Sequence, residues 1–289
     1  MRKALNKLCC SENTLTPYFI AEIGGNHNGD LQIAKRLIDA VSACGWHCAK
    51  FQKRNIDMCI PEQQKSETRL TPWGEMSYLE YRHKLEFGKK EYDYIDSFCT
   101  EKPLDWSASV WDFDSLAFIC NYDVPFIKIP SAMLTNLPLL AEAAKARKLL
   151  VVSTGMSTIE EVDSGVNEIL KHGEPPIIMH TNSSYPTPQS EINLNVIPFL
   201  KKRYGCVVGY SGHEEDLEPT VIAVVLGAQV IERHITLSHS MWGTDQKASL
   251  EVMGMDMLKK RINDIGKIMG SSEKTVTPNE ISIRKKLRG

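Results

Sequence analysis

The stretch VIERHITL, residues 230–237, has the β-branched and apolar flanks of a strand buried on both faces, yet three polar side chains occupy its centre. Burying Glu232, Arg233 and His234 costs free energy unless each is hydrogen bonded, paired with an opposite charge or bound to a metal. Side chains alternate along a strand, so Glu232 and His234 share one face and Arg233 takes the other. We therefore predict that Glu232 and His234 face a functional interior, whereas Arg233 points outward and pairs with an acid.

Seven further segments of similar apolar character precede this one along the chain. Most are nearly continuous runs of Val, Ile and Phe, which is typical of parallel strands covered by helices. Together they make eight predicted strands, at residues 19–23, 48–52, 106–110, 126–129, 150–153, 177–180, 207–210 and 230–234.

Amphipathic segments fill the gaps between these strands. Asp30 can cap the helix after the first strand, and Ser157 or Thr158 can cap one that ends at Gly173. The last helix is predicted at residues 255–269. Alternation of this kind predicts an α/β fold, a TIM (β/α)8 barrel in a single domain. A doubly wound open sheet is the alternative, but no G-x-G-x-x-G motif follows the first strand.

The barrel domain is predicted to cover residues 18–270, with an N-terminal extension at 1–17 and a basic C-terminal tail at 271–289. A polar insertion at residues 57–86 follows the second strand. Its aromatic, proline and glycine residues predict a structured loop rather than a disordered one.

Composition and charge narrow the classes of function. The chain has 289 residues and a net charge of -2, which gives no reason to expect nucleic acid or a membrane surface as a partner. The longest apolar run is too short to span a bilayer, and the N-terminal residues lack the apolar core of a signal peptide. None of the eight cysteines forms a C-x-x-C pair, so neither a zinc site nor a disulfide framework is indicated and a cytoplasmic location is expected.

Active sites of TIM barrels lie at the C-terminal ends of the strands. Lys50 and Lys128 occupy such positions between apolar neighbours, and they are predicted to bind an anion such as phosphate because burying them unpaired would be costly. His213 and His234, on adjacent predicted strands, suit a divalent metal. The other polar residues at strand ends are Glu22, Asn26, His27, Gln52, Ser131, Ser153, Thr154, His180, Asn182, Ser183, Tyr185, Ser211 and Glu232.

Eight motifs, in this order, resemble the sialic acid (N-acetylneuraminate) synthase family: AEIGGNHNGD, AKFQK, IKIPSA, STGMST, SSYPTP, GYSGHE, ERHITL and WGTDQKASLE. They extend over nearly the whole chain. The resemblance implies a transferase that condenses phosphoenolpyruvate with an open-chain N-acetylmannosamine-type sugar for surface carbohydrate biosynthesis. It also implies a TIM barrel and a divalent metal, Mn²⁺ or Mg²⁺.

The same resemblance assigns roles to individual residues. His213 and His234 match the metal ligands. Glu22 and Asp245 match acids near the metal and the sugar, and either could position or deprotonate the attacking water, so with Lys50 and Lys128 they form the predicted catalytic set. The predicted substrate-binding residues are Gln52, Ser131, Ser153, Asn182, Ser183, Tyr185 and Ser211.

The sequence departs from the family pattern in two places. Residues 128–133 read KIPSAM where the family commonly has K-I-G-S-G followed by Glu or Asp, so Met133 replaces an acid that engages the sugar hydroxyls. The chain also ends near the point where many members begin an antifreeze-like domain, so a short form without that domain is expected.

These departures leave other interpretations open. The acceptor could be the precursor of a related nonulosonate of the legionaminate or pseudaminate type. Two further alternatives are a Schiff-base aldolase that uses Lys50 or Lys128, and a non-catalytic sugar-binding barrel. The expected partners are phosphoenolpyruvate and an N-acyl amino sugar; whether the chain forms a homo-oligomer is left open.

Overall fold

A closed barrel of eight parallel strands forms the centre of the molecule, in the computed structural model that describes residues 15–288. Numbered in chain order, the barrel strands are β1 (Tyr18–Glu22), β2 (Cys48–Lys53), β5 (Asp105–Val110), β6 (Phe126–Ile129), β7 (Leu149–Ser153), β8 (Ile177–Thr181), β9 (Val208–Gly212) and β10 (Val230–His234). A separate antiparallel hairpin consists of β3 (Thr68–Thr71) and β4 (Gly74–Ser77).

Strand β1 closes the barrel, because it pairs with β10 on one side and with β2 on the other. The register places Glu22 opposite His234 on β10 and opposite Lys50 on β2. Three polar side chains from three strands therefore lie at one level near the C-terminal end of the barrel.

Helices surround this barrel, and the hydrophobic core fills the space between them and the strands. They are α1 (Leu31–Ala43), α2 (Ile56–Cys59), α3 (Glu62–Lys65), α4 (Tyr78–Leu85), α5 (Lys89–Glu101), α6 (Phe113–Cys120), α7 (Leu137–Lys145), α8 (Ile159–His172), α9 (Val196–Tyr204), α10 (Glu218–Val225), α11 (Val252–Met269) and α12 (Pro278–Arg288). No helix within residues 15–288 is long and apolar enough to cross a bilayer.

The predicted TIM barrel is confirmed, and each predicted strand overlaps an observed one. The predicted caps also form: the Asp30 side chain accepts a hydrogen bond from the Gln32 main-chain N–H, and Thr158 forms a capping box with Glu161. Each cap satisfies main-chain N–H groups that the first turn of a helix leaves without partners.

Two predicted boundaries were wrong by more than one residue. Strand β9 extends to Gly212 because Ser211 and Gly212 pair with β10, although a Ser-Gly pair resembles the start of a turn. Helix α11 begins at Val252 rather than at Met255. The prediction missed its first turn because Val252 and Met253 are exposed, so the buried apolar face of the helix starts only at Met255.

The insertion at residues 57–86 is ordered, as predicted, and it contains the β3–β4 hairpin and α4. A capping box between Ser77 and Glu80 begins α4. Helix α12, within the predicted tail, is exposed along its whole length. Residues 1–14 of the predicted N-terminal extension lie outside the described residues.

Arg233 points away from the barrel interior and pairs with an acid, as the alternation in β10 predicted. Its guanidinium lies 3.0 Å from a carboxylate oxygen of Glu214 and donates to the Glu214 carbonyl and to Thr220 Oγ1 on α10. Arg233 is 0% exposed. This buried ion pair joins β10 to the helical layer.

Replacing Arg233 by Met should strongly destabilise the fold, because the buried Glu214 carboxylate would lose its cation. We expect the free energy of unfolding to fall by about 3–5 kcal/mol in denaturant titrations. The matched control is Arg203→Met, which removes an exposed pair with Asp163 and should cost less than about 1 kcal/mol. Equal losses in the two variants would contradict this account of Arg233.

Candidate active site

Two lysines and two glutamates form a buried charged quartet inside the barrel near the C-terminal ends of the strands. Lys50 Nζ contacts Glu22 and lies 3.5 Å from a carboxylate oxygen of Glu232. Lys128 Nζ donates to both carboxylate oxygens of Glu232 at 2.9 Å. Because every one of these side chains is at most 5% exposed, their charges are only weakly screened by solvent.

Pairing within the quartet opposes the effect of burial on the pKa of Lys50, Lys128 and Glu232. Burial alone would lower the pKa of Lys50, but Glu22 and Glu232 outweigh it and the pKa is raised. Burial lowers the pKa of Lys128, which Glu232 only partly opposes. Burial would raise the pKa of Glu232, yet Lys128 and Lys50 hold it well below its usual range. Glu232 is thus the carboxylate shared by both ammonium groups.

Serine hydroxyls surround the quartet. Ser109 Oγ accepts from Lys50 Nζ at 2.9 Å, and Ser211 Oγ donates to Glu232 at 3.2 Å. Further along the wall, the Gly155 main-chain N–H donates to Ser131 Oγ at 3.0 Å. A Cβ on Gly155 would lie 2.3 Å from Ser183 Oγ and 2.9 Å from Ser131 Oγ. Because glycine has no side chain, both hydroxyls can lie close to residue 155, where their two O–H groups are suited to an anion.

Gly155→Ala should weaken binding of an anionic substrate, because the new methyl group would displace both hydroxyls. We expect the KM for phosphoenolpyruvate to rise by about 10-fold or more, the equivalent of one lost charge-assisted hydrogen bond. Gly254→Ala on α11 is the control, since its Cβ would meet only ordinary contacts at 3.6 and 3.7 Å. An unchanged KM in Gly155→Ala would contradict the assignment.

The imidazoles of His213 and His234 lie side by side and line the same cavity as the quartet. The ring centroids of His213 and His234 are 5.2 Å apart, and Tyr185 lies 4.0 Å from His213. His213 Nδ1 donates to the Asn182 carbonyl at 2.5 Å, which leaves Nε2 with a free lone pair. Burial, and next the neighbouring His234, lower the pKa of His213 to about 3, so its ring is neutral.

The imidazole nitrogens of His213 and His234 fit a divalent metal. His234 Nδ1 is buried without a hydrogen-bond partner and lies 3.6 Å from a carboxylate oxygen of Asp245. Two imidazoles with an acid nearby are the ligand types that such ions prefer. Within residues 15–288 no group of three or more His, Cys, Asp or Glu side chains is placed to hold a metal, so substrate or water would have to complete the coordination.

The acids of the site converge on the turn after β1. Gln52 Nε2 donates to Glu22 Oε1 at 2.8 Å. A Cβ on Gly24 would lie 3.2 Å from Gln52, 3.3 Å from Glu22 and 3.4 Å from Asp245. Because Gly24 has a positive φ of 55° and no side chain, the three groups can approach one another above the quartet.

A cavity of about 200 Å³ unites most of the predicted residues. Asn182 and Asp245 do not line it. The Asn182 side chain instead accepts hydrogen bonds from Ser184, so Asn182 acts on the site through its carbonyl. The predicted residues that line the cavity are Glu22, Lys50, Gln52, Lys128, Ser131, Ser153, Ser183, Tyr185, Ser211, His213 and His234.

The position of Met133 differs from what the motif comparison suggested. Met133 packs against the hydrophobic core, and its neighbour Ala132 lines the cavity. Neither side chain can accept hydrogen bonds from a sugar hydroxyl.

Several residues near the site were not predicted from the sequence, and three of them carry hydrogen-bond donors or a charge. Ser109 and Trp111 line the cavity, and Arg54 lies over the Trp111 ring. Ser109 ends a predicted strand, so the rule applied to the other strands could have found it. Arg54 and Trp111 follow their strands in loops, where no periodic signal marks them.

With the site described, comparison with known proteins identifies the family. A model of the NeuB family matches residues 37–274. The chain belongs to the NeuB family. The N-acetylneuraminate-9-phosphate synthase of Drosophila melanogaster is 35% identical, over 98% of this chain and 83% of the relative. The N,N'-diacetyllegionaminic acid synthase of Campylobacter jejuni is also 35% identical, over 90% of this chain and 80% of the relative.

The NeuB fold is found in a solved structure as well. The crystal structure of the N-acetylneuraminic acid (sialic acid) synthetase from Leptospira borgpetersenii serovar Hardjo-bovis, in complex with citrate, matches with a TM-score of 0.82 at 30% identity. The match covers 94% of this chain and 93% of that one. The resemblance inferred from the motifs is therefore confirmed at the level of family and fold.

Proposed function

We propose that this NeuB-family protein is a transferase that condenses phosphoenolpyruvate with an open-chain N-acetylmannosamine-type sugar to form a nonulosonic acid. The observation that carries the proposal is the single cavity in which two buried lysines, several serine hydroxyls and two imidazoles converge. The names of the relatives, an N-acetylneuraminate-9-phosphate synthase and a diacetyllegionaminic acid synthase, support this class of product.

The chemistry proceeds through attack by C3 of phosphoenolpyruvate on the aldehyde carbon of the sugar. Positive charge then develops at C2, water adds there, and the bond between C2 and the bridging oxygen breaks to release phosphate. Lys50 and Lys128 stabilise the phosphate and carboxylate charges, while the serine hydroxyls orient them. Glu22, held by Gln52, or Asp245 accepts the proton of the attacking water.

The charges of the quartet cancel one another, and this supports the involvement of a metal cation. Lys50 and Lys128 are offset by Glu22 and Glu232, so the quartet alone supplies no net positive charge to an anionic substrate. We propose that His213 and His234 hold Mn²⁺ or Mg²⁺, with Asp245 close by. Such an ion, when bound, polarises the acceptor carbonyl as a Lewis acid.

One observation favours a Schiff-base aldolase instead, namely that burial lowers the pKa of Lys128. A Schiff base needs a neutral amine, however, and Lys128 is paired with both oxygens of Glu232. Borohydride trapping with pyruvate separates the two mechanisms: the proposed synthase forms no covalent adduct, whereas the aldolase is labelled irreversibly at one lysine.

A panel of acceptors tests the proposal. The protein is incubated with phosphoenolpyruvate, Mn²⁺ and N-acetylmannosamine, its phosphate ester, or diacetamido hexoses, and the release of phosphate is followed together with the mass of the product. We expect turnover with at least one N-acylated sugar and its loss with a chelator. No turnover with any acceptor, in the presence of metal, would contradict the proposal and favour a non-catalytic barrel.

A further inference from the structure

Strand β2 directs a series of polar side chains toward the mouth of the barrel. Lys50 and Gln52 alternate along the strand and both line the cavity. Arg54 continues the same alternation just beyond the strand end at Lys53. The Gln52 side chain lies between the Arg54 guanidinium and Glu22 of the charged quartet, because its amide is hydrogen bonded to both.

The guanidinium of Arg54 lies directly behind the rim of the cavity. It stacks on the ring of Trp111 at 3.7 Å, and its Nη2 donates to Gln52 Oε1 at 2.5 Å. Both Trp111 and Gln52 line the cavity. Arg54 Nε and Trp111 Nε1 are buried without any hydrogen-bond partner, which is costly for donors that have left water.

No carboxylate in the described part of the chain forms an ion pair with Arg54. The nearest acid, Glu86, accepts hydrogen bonds from Lys53 Nζ at 2.6 Å and from the Arg54 main-chain N–H at 3.0 Å. Burial, and next the positive charge of Arg82, lower the pKa of Arg54 to about 10. The Arg82 side chain likewise forms no ion pair with the described residues, and its charge acts on Arg54 more strongly than the opposite charge of Glu86.

We propose that Arg54 and Arg82 form an anion-binding subsite for a phosphate monoester at the end of the acceptor sugar remote from its aldehyde. Two guanidinium groups that form no ion pair with a carboxylate of the described residues match the double negative charge of a phosphate monoester, and the planar donors of arginine suit its oxygens. This subsite rests on the proposed function and selects phosphorylated over neutral acceptors.

The subsite is separate from the one proposed for phosphoenolpyruvate. Lys50 and Lys128 lie at the level of the quartet, each paired with a glutamate, whereas Arg54 lies beyond the end of β2. The Gln52 side chain separates the two cationic groups. The two cationic groups therefore suit two different anionic groups, one on each substrate.

Arg54→Met and Arg82→Met test the proposal, because Met keeps the length of the side chain and removes its charge. With N-acetylmannosamine 6-phosphate as the acceptor, kcat/KM should fall by about 10- to 100-fold in each variant. With unphosphorylated N-acetylmannosamine the fall should be at least about 10-fold smaller, and Arg82→Met, which removes no contact to Gln52, should leave the KM for phosphoenolpyruvate unchanged. The matched control is Arg69→Met, since Arg69 lies over the Tyr78 ring in the same insertion but near an acid, Glu67.

Calorimetry on the wild-type protein separates this inference from the proposed function. The phosphorylated sugar should bind more tightly than the neutral one, and Arg54→Met should remove the difference, even if no condensation takes place. Equal binding of the two sugars to the wild type would overturn the subsite. An equal loss of kcat/KM with both acceptors would also overturn it, since Arg54 would then act only by holding Gln52 in place.

Discussion

Lys128→Met should lower kcat/KM for phosphoenolpyruvate by about 10³-fold, comparable to the loss of one preorganised donor in other active sites. The reason is that Lys128 supplies one of two buried ammonium groups on the cavity wall. The variant should also lose about 3 kcal/mol of unfolding free energy, because the buried Glu232 carboxylate keeps the Ser211 hydrogen bond but loses its shorter ion pair and retains only the longer one with Lys50. Steady-state phosphate release and denaturant titration measure the two effects.

The double variant Lys128→Met, Glu232→Gln separates catalysis from stability. Removing both members of the pair leaves no uncompensated buried charge, so most of the lost stability should return. Activity should stay low, because the cation that binds the substrate is still missing. Recovery of activity in the double variant would contradict the role assigned to Lys128.

His234→Ala should abolish turnover and Mn²⁺ binding while it leaves the fold intact. The imidazole lies at the end of β10 and faces the cavity. Its removal should lower metal affinity and activity by more than the roughly 10- to 100-fold that is typical when an outer-shell partner of a metal is lost. Calorimetric titration with Mn²⁺ gives the binding, and denaturant titration of the metal-free protein gives the stability.

The control for this variant is His172→Ala, which removes an exposed histidine that contacts Glu168 on α8. It should bind Mn²⁺ and turn over like the wild type. If His234→Ala bound Mn²⁺ normally and stayed active, the proposed metal site would be wrong.

The barrel could be predicted because its strands carry local signals. Parallel strands covered on both sides need apolar residues at nearly every position, and the run from Phe126 to Ile129 has this character around a single lysine. Boundaries were less certain where pairing between strands overrides local propensity, as at Ser211 and Gly212 in β9.

The site could be predicted in part, because the alternation in β10 already separates Glu232 and His234 from Arg233. The identity of the partners could not be predicted, since they come from distant strands. Glu232 was predicted to face the interior, and the structure shows that it is the shared counter-ion of Lys50 and Lys128. These groups come within ion-pair distance only because the closed barrel brings their strands together.

The most direct test of the central claim uses phosphoenolpyruvate labelled with ¹⁸O in the oxygen that bridges C2 and phosphorus. Condensation with C–O cleavage predicts that the label leaves with the released phosphate, as seen by ³¹P NMR or mass spectrometry. A label that stays in the sugar acid would indicate P–O cleavage and contradict the mechanism. Absence of phosphate release with every N-acyl sugar would contradict the function itself.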